Sequence, residues 1–192
     1  SSCKGCIAGQ FQSAASATNC KNCIPGTFNN KREAISCDDC TKGRHQDSNA
    51  QTSCHICPKG TYQNQNKQSE CISCDKGMFS NTEETKTISC QECIAGKYSL
   101  QPASTSCAEC QIGEKQGASK SVVCVKCGFG SFSKDKATPG CASCPQGWIG
   151  TNEGAASCTS CAAGRYNSKG GAELDSDCTQ CVVNTYSAAI GA

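Results

Sequence analysis

The sequence predicts a fold of small disulfide-rich repeats: an elongated solenoid or rod of about eleven 17-residue units, with short β-ribbons, mostly irregular backbone and essentially no helix. Three observations predict it. The chain carries 22 cysteines in 192 residues, a density typical of disulfide scaffolds. Leu, Ile, Val and Phe together number only 22, about 11% against a floor of ~20% for an ordinary globular domain, and there is one Trp and one Met. Finally, CxxC pairs begin at 3, 20, 37, 54, 71, 90, 107, 124, 141, 158 and 178, a step of 17 broken only by one of 19 and one of 20. A chain so poor in apolar residues does not bury one core of this length, so it must be many small units held by something other than apolar burial.

Each repeat has the same grammar, seen in CHICPKGTYQNQNKQSECISC at 54–74. The CxxC pair comes first. Three residues after its second cysteine stands a glycine in ten repeats, from Gly9 to Gly164, and Asn184 in the eleventh. Asn is the next-best residue for a left-handed backbone, so the position is expected to have φ > 0. Two residues further comes an aromatic: Phe11, Phe28, Tyr62, Phe79, Tyr98, Phe132, Tyr166 and Tyr186, which leaves Phe129 as the only Phe or Tyr elsewhere. His45, Lys115 and Ile149 take that slot in the other three repeats, all odd-numbered, which leaves a 34-residue double unit open. One buried ring stabilises by roughly 2–3 kcal/mol and is expected to be the whole apolar core of a repeat. Trp148, one place before the slot, is read as a substitute ring in the packing, with an exposed contact residue as the alternative.

After the ring comes a loop rich in Ser, Asn and Gln, then a short return to the next cysteine. Gly, Ser, Thr, Asn and Cys interrupt any apolar period of 3.6, so helix is not expected. The two longer steps place their extra residues in TEETK (82–86) and SKGGAELDS (168–176), expected to be surface loop tips. The array covers 1–192, with the last repeat truncated, and reads as part of a longer repetitive protein.

Net charge is +2, with 18 basic and 16 acidic residues scattered along the chain. That distribution argues against a nucleic-acid surface and against a polybasic membrane patch. No apolar run approaches the roughly 20 residues of a membrane span. There is no GxSxG, no Gly-rich phosphate loop and no HExxH, so no enzyme and no cofactor is expected. DSD at 175–177 lacks the rest of a calcium loop, and Lys134, Asp135 and Lys136 read as a solvated turn.

Three chemistries compete for the cysteines. Zinc sites with four thiolates use CxxC pairs two at a time, whereas eleven pairs are odd in number, and His45 and His55 hold no ligand-like position. A redox CxxC needs one site at a helix N-terminus, not eleven without a helix. Structural disulfides in an oxidising compartment remain. Spacing alone leaves the pairing open between a ladder of single loops and crossed two-pair modules.

The pattern C-x2-G-x-[FY]-x8-C, as in CPKGTYQNQNKQSEC and CIAGKYSLQPASTSC, resembles the small looped module of tumour-necrosis-factor-receptor cysteine-rich domains and the ephrin-receptor-like cysteine-rich repeats. The resemblance implies a ladder: Cys6–Cys20, Cys23–Cys37, Cys40–Cys54, Cys57–Cys71, Cys74–Cys90, Cys93–Cys107, Cys110–Cys124, Cys127–Cys141, Cys144–Cys158 and Cys161–Cys178, with Phe11 and its equivalents packing on the bridge. Cys3 and Cys181 would then bond to repeats outside the chain. The receptors alternate this module with a second, crossed type; here only the simple loop repeats, and the monotony is closer to long cysteine-rich surface proteins of ciliates and other protists.

The expectation is therefore an extracellular structural protein, a rod-like cell-surface, coat or filament component, with protein partners or self-association. A ligand-binding receptor or adhesin ectodomain is the alternative, and a metal-binding protein a more distant one. The hydroxyl-rich loops suit O-glycans, whereas no N-x-S/T sequon occurs.

Overall fold

The computed structural model describes residues 3–81 and 87–187; the TEETK tip lies outside them. The two residues between paired cysteines are extended, and so are the slot residue and its predecessor. They pair across the loop as two-residue antiparallel ribbons. The first joins β1 (Gln10–Phe11) to β2 (Lys21–Asn22), with Phe11 opposite Lys21. Ten such ribbons occur among the described residues, each a separate two-stranded sheet. A lone ribbon of this length is not stable in water. Each is clamped by a bridge whose Cα atoms stand 5.5–5.8 Å apart. The only helical turn among the described residues is the 3-10 turn Asp175–Asp177.

The entry to each ribbon is a turn set by glycine. In Pro58–Lys59–Gly60–Thr61 the Thr61 N–H donates to the Pro58 carbonyl at 3.1 Å, and Gly60 has φ +80. That is the positive φ a type II turn demands at its third position. Asn184, the one non-glycine in this place, has φ 67.

The chain divides into two compact units, Ser1–Gln91 with Gln101–Ser106, and Glu92–Leu100 with Cys107–Ala192. Within the first, three backbone hydrogen bonds per step tie a repeat to the next: Gly9 N–H to Asn29 carbonyl (2.7 Å), Gln12 N–H to Ala34 carbonyl (3.0 Å) and Glu33 N–H to Cys6 carbonyl (2.8 Å). The set recurs one step on as Gly26 to Gln46, Asn29 to Gln51 and Ala50 to Cys23. The second unit repeats it with Gly113 to Ser133, Gln116 to Thr138 and Ala137 to Cys110.

A second left-handed residue recurs in the loop tips, and it is not glycine in most repeats: Ser16, Glu33, Ala50, Lys67, Ala103, Lys120 and Ala137 have φ of 55 to 61. Holding such residues there costs on the order of 1–2 kcal/mol each. At Ala50, Lys67, Ala103 and Ala137 the tip N–H reaches a cysteine carbonyl of the preceding repeat, and the tip's own carbonyl sits over a turn glycine two repeats back. A Cβ on Gly9 would lie 2.1 Å from the Ala50 oxygen, and one on Gly26 would lie 2.4 Å from that of Lys67. Odd and even repeats do this alike, so the close approach spans two steps while the structural unit stays at 17 residues rather than 34.

The core differs from a row of rings. Among the described residues its fully buried side chains are Cys23, Cys40, Cys57, Cys74, Cys93, Cys110 and Cys127 at 0 % exposure, together with Gln46, Cys144 and Cys161 at 1 %. The residue after the ring is polar and buried in repeat after repeat: Asn29, Gln46, Gln63, Ser80, Ser99, Ser133 and Asn167. Gln46 shows why: its Nε2 donates to the Ser53 carbonyl at 2.7 Å and its Oε1 accepts the Ser48 N–H at 3.1 Å, so the amide closes its own loop. Two-residue strands cannot bury a ring on both faces, so the rings remain half-buried. Trp148 is likewise not the packed substitute: it is 36 % exposed, while Ile149, in the slot itself, is 4 % exposed and clusters with Cys161, Ala172 and Cys178.

Candidate functional site

The nine CxxC pairs from Cys20/Cys23 to Cys158/Cys161 are each divided between two bridges, and the two residues inside each pair are a strand and not a helix start. Cys20 closes back on Cys6 and Cys23 closes forward on Cys37. The same pattern gives Cys40–Cys54, Cys57–Cys71, Cys74–Cys90, Cys93–Cys107, Cys110–Cys124, Cys127–Cys141, Cys144–Cys158 and Cys161–Cys178. Cys3 is exposed and Cys181 half-buried, both without a disulfide. A CxxC so divided has no vicinal dithiol to cycle, and its sulfurs are no thiolate ligands.

Phe11, Phe28, Tyr62, Phe79, Tyr98 and Phe132 are half-buried. Tyr166 and Tyr186 are exposed, at 41% and 86%. Phe11 and Cys37 both line one groove. The exposed Lys67–Asp39 ion pair, at 3.4 Å, borders the groove.

Sequence reasoning gave His45 and His55 no role, and geometry gives them one. They face each other across the ribbon of β5 (Arg44–His45) and β6 (His55–Ile56), ring centroids 5.8 Å apart. His45 Nδ1 stands 3.2 Å from Cys71 Sγ. A ring nitrogen of His45 and the sulfurs of Cys57 and Cys71 all lie within 4.8 Å of one another. Joined as a disulfide, those sulfurs are weak metal ligands. The sequence signal was an imidazole in the ring slot.

The longest loop builds the other distinctive feature. SKGGAELDS folds over a cavity of about 580 Å3 lined by Tyr166, Lys169, Glu173, Ser176, Asp177 and Thr179. Asp177 Oδ2 accepts the N–H groups of Glu173 and Leu174 at 3.0 and 2.9 Å. Those bonds, Leu174's the larger effect, hold its carboxyl below its ordinary 3.8. Arg165 pairs with Asp175 at 3.2 Å beside it. Among the described residues no helix is long and apolar enough to cross a membrane.

No curated protein matches the chain. The family described as tyrosine-protein kinase ephrin type A/B receptor-like matches it at residues 43–89 and again at 60–110. That family is one of disulfide-rich receptor-like repeats and not of enzymes. Both matches open on the turn glycine, Gly43 and Gly60, one repeat apart. A single module engaging the chain in two registers is what tandem repetition requires: residues 43–110 are similar to ephrin-receptor-like cysteine-rich repeats, and the same bridge pattern recurs through the other described residues.

Proposed function

We propose that this chain is a structural element of an extracellular surface: a rod-like component of a stalk, coat or filament, held by its disulfide ladder, with no catalytic role. The observation that carries the proposal is the seam. The same three backbone hydrogen bonds recur at successive steps within each unit, complete from Gly9 to Lys67 in the first and from Gly96 to Gly171 in the second, made by main-chain atoms and so largely indifferent to side chain. Such a seam propagates with length without needing a special residue at any one repeat, the nearest-neighbour logic of repeat arrays. Ten bridges support an oxidising environment, since reduced thiols prevail in the cytosol. Partners are then other proteins or further copies along a filament. Negative-stain images of the intact protein test this. Extended particles whose length grows with repeat number support it, and compact globules overturn it.

A second reading, a receptor or adhesin ectodomain, is favoured by the cavity at 166–179. It joins an exposed tyrosine ring to carboxylates, hydroxyls and a lysine, a polar set of a size that suits a small ligand. Binding on a glycan array that is lost on shortening 168–176 to the ordinary loop length would favour it over the structural role.

A further inference from the structure

The ten bridges share one geometry but not one chemical environment. Eight of the eleven ring slots carry Phe or Tyr, and both histidines of the chain belong to the single ribbon of β5 and β6. His45, held in the slot by that ribbon, sets its Nδ1 3.2 Å from Cys71 Sγ. Cys57 is fully buried, at 0 % exposure, while Cys71 is half-buried, so an incoming group reaches the bridge at Cys71. Cys23–Cys37 and Cys127–Cys141 have the same burial pattern, with Phe11 and Lys115 in the slot that precedes each bridge.

We propose that Cys57–Cys71 is a thiol–disulfide exchange site, the bridge at which a small-molecule or protein thiol opens the array, with His45 carrying the proton. With its own hydrogen on Nε2, His45 offers the Nδ1 lone pair beside the sulfur under attack. An incoming thiol RSH gives its proton to Nδ1, and its sulfur bonds to Cys71 Sγ. The Cys57–Cys71 bond breaks, and the electron pair leaves on Cys57 Sγ. That thiolate takes the proton back from His45, whose ring nitrogen is within 4.8 Å of both sulfurs. The products are RS–S–Cys71 and Cys57–SH. A second RSH then displaces Cys71 as its thiol and departs as RSSR, so the bridge gains the two electrons that the two thiols lose. The nucleophile in such exchange is the thiolate. A free thiol of pKa about 8.5 is only ~3% ionised at pH 7, so a positioned base accelerates attack by at most ~30-fold.

Opening this bridge has a structural readout. It frees the loop whose tip, Lys67, donates to the Cys40 carbonyl at 2.7 Å and whose Gln68 carbonyl accepts the Gln46 N–H at 3.2 Å. The site would thus loosen one seam and leave the other bridges closed.

The test is partial reduction of the intact protein by limiting glutathione at pH 7, acid quench, alkylation of the new thiols and peptide mass spectrometry. Cys57 and Cys71 are expected to be labelled first, with the transient glutathione adduct on Cys71. The His45→Phe variant, which installs the residue the slot carries at Phe11 and Phe28, is expected to slow that opening about tenfold. Reduction by a phosphine, which brings no proton to transfer, should differ less than twofold between the two proteins. Opening of Cys57–Cys71 in step with Cys23–Cys37 and Cys127–Cys141 overturns the proposal. So does an unchanged glutathione rate in the variant, or an equal slowing with both reductants. Should the variant misfold, the order of labelling and the position of the adduct in the unsubstituted protein decide the matter alone.

Discussion

Replacing Gly60 by alanine loads two separate costs onto one methyl group. The first is conformational: Gly60 has φ +80, where an L-residue loses on the order of 1–2 kcal/mol. The second is steric and comes from elsewhere in the chain, because the new Cβ would stand 2.1 Å from the carbonyl oxygen of Ala103 and 2.7 Å from its carbon. Both obstacles are backbone, so no rotamer change relieves them. The tip must lift, and with it the Ala103 N–H bond to the Cys74 carbonyl at 2.8 Å, worth about 1–2 kcal/mol where buried. The expected loss is therefore about 2–4 kcal/mol. Gly164 is the control: its φ is +79, yet nothing lies within 4 Å of a built Cβ. Gly164→Ala should cost only the conformational part, about 1–2 kcal/mol. Native-state amide exchange reads the difference. Protection of the Ala103 amide should fall by roughly 30-fold or more in Gly60→Ala, while Gly164→Ala lowers protection near its own turn by about 5–30-fold and leaves the Ala103 amide unchanged. Equal losses at the two sites would refute the claim that tips seat on turn glycines.

Three further outcomes follow from the same geometry. Gln46→Ala should cost about 1–2 kcal/mol, since it removes the two part-buried hydrogen bonds to the Ser53 carbonyl and the Ser48 N–H, and exchange at the Ser48 amide should rise accordingly. Ile149→Ala should cost about 2–4 kcal/mol by emptying the contact with Cys161, Ala172 and Cys178, whereas Trp148→Ala should change thermal stability little; the reverse order in a melting experiment would contradict the burial. Because the Asp177 carboxyl is held below its ordinary 3.8 by backbone N–H groups, the turn it caps is favoured above that value and loosens as pH falls through the lowered one. An NMR titration should show the Leu174 and Glu173 amides keeping their hydrogen-bonded shifts down to pH 3.8 and losing them as pH falls further, and no change on that descent would remove the carboxylate from the turn.

The period of the cysteines, the glycine at the third place after each pair and the Asn at 184 were legible because each is a local demand on residue type. A left-handed turn position excludes most side chains wherever it occurs, so it writes itself into the sequence. The second left-handed position could not be read this way: Glu33, Lys67 and Ala103 are ordinary residues whose backbone is held by bonds to a cysteine carbonyl in another repeat. Nor could the buried amide of Gln46, since polarity points outward until the loop it closes is known. His45 looked like a missing ring and became a base beside a sulfur only when the following repeat brought Cys71 to it. Sequence alone thus determined the unit, its length and its turn, which depend on residues within one loop. Tertiary structure decided what each unit touches, because those contacts run between main-chain atoms 20 to 40 residues apart and leave almost no mark on side-chain identity.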